Sequence, residues 1–222
     1  MRITTGIKGL DQLIQNGFPL HTVILLSGGP GTGKTLIGLN FLLEGAKKGE
    51  KCCFVSFNES KADLLRALKG IESLKEAERF LGKNLAIEHI ALGEHITMKK
   101  FIEIVSRYPK IDRLVIDNVN KLLMFAESKQ AYRIALAELV RYLRNFGCTL
   151  LICETEKDAI DTGNGEAFEC DGVINLSFLE FEEKPKRILE IHKLRYTAFE
   201  PKVPNELVID SKGIRLSGTR II

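Results

Sequence analysis

The segment GGPGTGKT at residues 28–35 constrains the fold of this chain more than any other stretch of it. It has the spacing GxxxxGK[ST]. It follows an apolar run at 22–27 (TVILLS) and precedes a helix-like run that begins at Lys34. Closely spaced glycines let successive backbone N–H groups turn into one concavity, and the positive end of the following helix points the same way. Phosphate oxygens are the natural occupants of such a nest. Gly28, Gly29, Pro30, Gly31, Thr32 and Gly33 are then expected to line the cradle, with Leu36 just beyond it in the first helical turn. Lys34 is expected to reach the β- and γ-phosphates, and the Thr35 hydroxyl to ligate Mg²⁺. The reading is ATP with Mg²⁺. A chance glycine-rich turn is the alternative, and the strand-loop-helix context argues against it.

The rest of the chain repeats that strand-helix rhythm. Apolar runs at 22–27, 52–57, 85–90, 113–116 and 149–153 read as strands. Helical patterns fall at 34–48, 61–69, 98–108 and 129–146; in the last, Ile134, Leu136, Leu139, Val140 and Leu143 predict an apolar face against a sheet. Such alternation implies a mainly parallel sheet covered on both faces. After residue 170 the pattern changes to short strands at 173–178, 187–194 and 206–209 with polar connections, the first at 182–186, which predicts an antiparallel extension. The expectation is one α/β domain over 1–222.

Composition sets the limits. Thirty-two basic against 29 acidic side chains give a net charge of +3, too even to advertise a polyanion partner. Of the basic residues, Lys99, Lys100, Arg107, Lys110 and Arg113 are expected on a solvated helix face and its exit. The five cysteines, Cys52, Cys53, Cys148, Cys153 and Cys170, show no CxxC or metal-ligand spacing and read as buried free thiols. No apolar run approaches the ~20 residues that span a bilayer, and no signal peptide opens the sequence, so a cytoplasmic location is expected.

A phosphate loop of this kind needs an acidic partner on a neighbouring strand. LVID at 114–117 supplies one, with Asp117 at the carboxyl end of the strand, where ligands of open α/β sheets collect. Asp117 is expected to hold Mg²⁺ directly or through water; its other reading is a helix N-cap.

The segments SGGPGTGKT, FVSFNES, LVIDNV and CTLLICETE resemble the RecA-like P-loop ATPases. The opening RITTGIKGLDQLIQNGFP, the stretch FECDGVINL and the late LEIHKLRYTAFEP resemble, more closely, single-domain KaiC-like ATPases. The resemblance covers nearly the whole chain and implies a RecA-like core, ATP hydrolysis and assembly into a ring, a hexamer in that family. It also implies that Lys193, Leu194, Arg195 and Thr197 of KLRYT belong to the nucleotide site. Lys193 and Arg195 would cross a subunit interface to a neighbour's γ-phosphate. Read from the residues alone, the two cations equally suit a solvated sheet edge.

The sequence departs from that pattern at Asn58, where many relatives carry the glutamate that activates water. An amide hydrogen-bonds water but takes no proton from it. Glu59 either takes over that role or favours the dipole of the helix start that follows. Slow hydrolysis, or nucleotide sensing without hydrolysis, follows from this substitution. Glu154 or Thr155 is a candidate γ-phosphate sensor or the capped end of a strand. The segment 157–171 contains Asp158, Asp161, Glu166, Glu169 and Asp171 against one lysine, the wrong sign for a DNA-binding loop. It also lacks Ser or Thr directly before Asp171, which leaves Thr162 as a remote acceptor for autophosphorylation. The expected partners are ATP or ADP, further copies of the chain and an unidentified protein, with DNA and membrane disfavoured.

Overall fold

The computed structural model describes residues 1–90, 103, 105–108, 110–124, 126–157, 159–180 and 184–220. Most of the helix expected at 98–108, the residues Lys99, Lys100 and Asp158, and part of the connection at 182–186 lie outside them. The elements in chain order are β1 (Arg2–Ile3), α1 (Leu10–Leu13), β2 (Phe18–Pro19), β3 (Thr22–Gly28), α2 (Lys34–Lys47), β4 (Cys52–Ser56) and α3 (Lys61–Gly70). A 3₁₀ segment (Glu72–Arg79), β5 (Leu85–His89), β6 (Arg113–Asp117), α4 (Asn120–Met124), α5 (Lys129–Leu143) and β7 (Cys148–Glu154) follow. The chain then forms α6 (Glu166–Glu169), β8 (Gly172–Leu179), β9 (Lys186–Leu194), β10 (Asn205–Asp210) and β11 (Gly213–Arg220).

A nine-stranded sheet of order β11-β10-β9-β8-β3-β7-β6-β4-β5 organises the chain. From β8 to β5 every pairing is parallel, and from β8 outward to β11 every pairing is antiparallel. This is the RecA-like α/β architecture expected from the sequence, including the antiparallel extension. Side chains alternate faces along a strand, so β3 feeds two cores. Ile24 and Leu26 join α2 and α3 on one side. Val23 and Leu25 meet Tyr132, Leu136, Leu139, Val140 and Leu143 of α5 on the other.

Local chemistry explains the helix starts. The Ser60 hydroxyl accepts from Asp63 N at 3.2 Å to open α3, and the Ser128 hydroxyl accepts from Ala131 N at 3.1 Å to open α5. Ile134, assigned by its sequence to the buried face of α5, is instead 56% exposed, and Tyr132 takes the inward position. Arg113 is likewise not solvated. It is fully buried, stacks on the Phe41 ring at 4.7 Å, pairs with Glu50 and donates to the Thr4 and Phe41 carbonyls. It thereby ties the amino-terminal segment to α2. All five thiols are free and buried, as expected.

Candidate functional site

The carboxyl end of β3 turns into α2 through the glycine loop. Gly28 has φ +149° and Gly33 φ +104°, and a Cβ at either would lie 2.3 Å from a neighbour, the Leu176 carbonyl oxygen or Ile209 Cδ1. Only glycine fits both, which is why the loop can present backbone at the mouth of a 14-residue helix. The Lys34 ammonium is buried and donates to the Gly28 and Gly29 carbonyls, both at 2.7 Å. Burial holds its pKa below the usual lysine value, partly offset by Glu154 and Asp117. Thr32 closes the turn by donating to the Gly29 carbonyl at 2.8 Å. Pro30 and Gly31 form its exposed tip, and Leu36, in the first turn of α2, packs against the core.

Asp117 ends β6, two strands from β3 across β7. Its Oδ2 accepts from the Thr35 hydroxyl at 2.8 Å. Burial pushes its pKa up to about 6, with the Thr35 hydrogen bond and Lys34 opposing that rise and Glu59 and Glu154 adding to it. A hydroxyl beside a carboxylate is a hard-oxygen pair that suits Mg²⁺. Among the described residues no cluster of three or more His, Cys, Asp or Glu is arranged to hold an ion alone. Such a cation would therefore complete its shell with phosphate oxygens and water, as Mg²⁺ commonly does. The residues fit a magnesium nucleotide.

Asp117 and Glu154 act on Lys34, and Glu59 and Glu154 act on Asp117. Glu59 N donates to the Ser56 hydroxyl at 2.9 Å, and its carboxyl is raised by burial and then by Asp63. Asn58 is exposed and its amide lies 3.4 Å from Glu154 Oε1. Parallel register sets Glu154 opposite Gly28, and Thr155 N donates to the Gly28 carbonyl at 3.3 Å. The Thr155 hydroxyl is buried without a hydrogen-bond partner. A groove of about 670 Å³, lined in part by Asn120, Leu123, Glu154, Thr155 and Ile160, opens beside this end of β7.

One participant had no sequence signal. Arg187 Nε donates to the Gly31 carbonyl at 3.1 Å, and its guanidinium lies over the Phe178 ring at 5.4 Å from the centroid. Arg187 is 156 residues from the loop it holds, and only the β8–β9 pairing brings it there.

The KLRYT residues are elsewhere. Lys193 lies opposite Val173, which pairs with Leu25, and Leu194 lies opposite Gly172, which pairs with Ile24. They therefore stand at the amino-terminal edge of the parallel strands, whereas the glycine loop leaves the carboxyl edge. Lys193 Nζ donates to the Ala167, Phe168 and Cys170 carbonyls at 3.0, 3.0 and 2.7 Å. Burial and the neighbouring Arg195 hold its pKa down. Leu194 is buried in the core; Arg195 donates to Asp171 at 3.2 Å, and the Thr197 hydroxyl accepts from Arg2. None of the four contacts the glycine loop of its own chain in any described hydrogen bond.

The profile of the family described as "ATPase: KaiC" matches residues 3–220. The chain belongs to this KaiC ATPase family. A UPF0273 protein of Pyrococcus horikoshii is 29% identical over 215 residues, covering 89% of this chain and 86% of that protein. The circadian clock protein KaiC2 of Synechocystis is 29% identical over 206 residues, 88% of this chain but 36% of that longer protein. The crystal structure of a KaiC-like protein from Pyrococcus horikoshii superposes with a TM-score of 0.82 at 29% identity, covering 97% of this chain and 98% of that one. Family membership implies nucleotide binding and ATPase activity in general.

The acidic stretch 157–171 reads differently in three dimensions than as a string. Glu166 and Asp171 of the acidic stretch point inward. Glu166 is fully buried and accepts from the Tyr132 and Thr162 hydroxyls at 2.7 and 2.6 Å, while Asp171 takes up Arg144 and Arg195. The acidic surface near residues 157–171 is thus smaller than the count of side chains suggests. Thr162, the remote acceptor, donates its hydroxyl to Glu166. Among the described residues no helix is long and apolar enough to cross a membrane.

Proposed function

We propose that this chain binds and slowly hydrolyses ATP with Mg²⁺ at a site completed by a second copy of itself. Within one copy, the glycine loop and Lys34 hold the phosphates, and Thr35 and Asp117 hold the cation. Mg²⁺ would neutralise charge on the transferring phosphoryl group. Glu59 is the water-activating base, since its pKa is raised toward neutrality from the ordinary glutamate value. Arg187 steadies the loop from β9.

The observation that carries the reading is the register of β9. Lys193 and Leu194 stand three and four residues back along β3 from Gly28, about 10–13 Å at ~3.3 Å per residue, and two strands sideways, with Arg195 one residue further still. Cations there serve a phosphate on a neighbouring copy more readily than their own. A head-to-tail contact gives a ring where its rotation closes, and the resemblance suggests a ring of six copies. The test is mass by light scattering with and without Mg-ATP, beside steady-state phosphate release. A strict monomer under every condition, with undiminished turnover, refutes the shared site.

Asn58 favours a second reading, a nucleotide-gated assembly module in which binding alone signals to a partner. Multiple turnovers that Lys34→Ala abolishes would reject it.

A further inference from the structure

We infer that Asp171 is a positioning residue that aims Arg195 out of the subunit face. The inference rests on the reading that Arg195 acts on a neighbour's nucleotide. Asp171 is 2% exposed and sits at the turn from α6 into β8. Its Oδ1 accepts from Arg144 Nη2 at 3.0 Å and Arg195 Nη1 at 3.2 Å. Its Oδ2 accepts from Arg144 Nε at 3.0 Å and Val23 N at 3.1 Å. Four donors fill the capacity of a carboxylate. The backbone repeats the connection: Asp171 N donates to the Val23 carbonyl at 2.8 Å, and Arg195 N to the Asp171 carbonyl at 2.9 Å.

The division of those bonds separates aiming from charge balance. Arg144 alone, gripping both oxygens, neutralises the buried carboxylate in the bidentate geometry that favours arginine. Arg195 is held through a single described side-chain bond, and its side chain is 46% exposed. One tethered N–H orients the planar fork, while nearly half of the side chain stays open to solvent. Lys193 contrasts with it, because three carbonyls at the end of α6 occupy its ammonium. Arg195 is therefore the preformed contact, and Asp171 lowers the entropic cost of making it. Val23 adds a second consequence: the same carboxylate is fastened to β3, the strand that ends in the glycine loop. The aim of Arg195 is thus referenced to the frame of its own nucleotide site.

The experiment compares full-length Asp171→Asn and Asp171→Glu with wild type in steady-state ATP hydrolysis. Asp171→Glu keeps the charge that a purely structural ion pair needs, but moves the acceptor by one methylene. A displacement of that size is expected to lower kcat on the order of 100-fold while KM stays within about twofold. Each variant is then mixed with Lys34→Ala subunits. Asp171→Asn subunits retain Lys34, and Lys34→Ala subunits retain Asp171, so in an equal random mixture about a quarter of all head-to-tail interfaces are intact and activity returns. Arg195→Ala mixed with Lys34→Ala is the reference. If that reference pair regains activity and neither Asp171 variant does, the positioning role is wrong and the shared site stands. If the reference pair also fails, the shared site itself is wrong. Wild-type kcat in a folded Asp171→Glu protein overturns the inference outright, and that variant decides the matter should Asp171→Asn fail to fold.

Discussion

Replacing Glu59 by Gln separates the two ways in which this site can work without a glutamate at position 58. Glu59 is exposed at the rim of the site, its backbone N–H is anchored to Ser56, and its charge acts on Asp117 beside Thr35. Gln keeps the volume and the hydrogen-bonding capacity but cannot accept a proton. General-base catalysis contributes about 10²–10⁴-fold, so Glu59→Gln is expected to lower kcat at least ~100-fold, about 2.7 kcal/mol of barrier. Nucleotide affinity should hardly move, because Lys34, Thr35 and Asp117 are intact. Burial raises the Glu59 pKa, so the wild-type rate should climb with pH through a value above the ordinary glutamate range. The variant should lose that limb. Adding Asn58→Glu to the Glu59→Gln variant should restore at least ~10-fold. The new carboxylate would sit beside Glu154, which lies 3.4 Å from the present amide, and like charges at that range raise one pKa of the pair. Phosphate release by a coupled assay, from pH 5 to 9, reads all of this. Undiminished kcat in Glu59→Gln would refute the assignment and direct attention to Glu154.

Other outcomes follow from the same geometry. Gly33→Ala forces a side chain into φ +104° and sets its Cβ 2.3 Å from Ile209 Cδ1. Calorimetry should find weakened nucleotide binding, only partly recovered by adding Ile209→Val, since about 1–2 kcal/mol of backbone strain remains. The five thiols are buried, and burial pushes Cys52, Cys53 and Cys148 up to about 12. A thiol reagent at pH 8 should label none of the cysteines before unfolding and all five after it. Asp171 is buried, which alone would raise its pKa, but hydrogen bonds from Arg144 and Val23 and the charges of Arg144 and Arg195 leave it lowered. A lowered carboxylate contributes stability that is present above its unfolded pKa and lost as pH falls through its folded value. Urea unfolding of Asp171→Asn should therefore show a flatter decline on acidification than wild type.

The fold was largely legible because buried parallel strands read as continuous apolar runs. TVILLS, CCFVSF and RLVI needed no periodicity to be found. The misreading of Ile134 is local, and those of the charged residues concern relations between distant positions. Ile134 lies two positions from Tyr132, while the buried set Tyr132, Leu136, Leu139, Val140 and Leu143 keeps helical spacing without it. Arg113 looked like one of several surface cations, and only the approach of α2 and Glu50 makes its burial tolerable. Glu166 and Asp171 counted as loop charge until Tyr132, Arg144 and Arg195, 34, 27 and 24 residues away, drew them inward. The glycine loop and Asp117 were legible because their chemistry is local to a strand end. The holding of Gly31 by Arg187 depends on the pairing of two strands, which no single segment encodes.

Lys34 and Asp117 depart from their ordinary pKa values in the directions that disfavour charge: burial lowers the lysine and raises the aspartate to about 6. Each therefore carries its charge at neutral pH at a cost, and Thr35 is the only direct hydrogen-bond partner of the Asp117 side chain among the described residues. A phosphate against Lys34 and a cation against Asp117 would relieve both penalties at once, so the two should bind together. The expected signature is linkage. ATP or Mg²⁺ alone should shift thermal unfolding little, while saturating Mg-ATP at about 100 times its Kd should stabilise by about 2.7 kcal/mol. Asp117→Asn removes the penalised charge, so the unliganded variant should unfold no earlier than wild type at pH 7 and yet lose the Mg²⁺-dependent part of the shift. Scanning calorimetry measures both. An unliganded Asp117→Asn protein much less stable than wild type would mean that this carboxylate holds the fold together, and that the cation site has been misassigned.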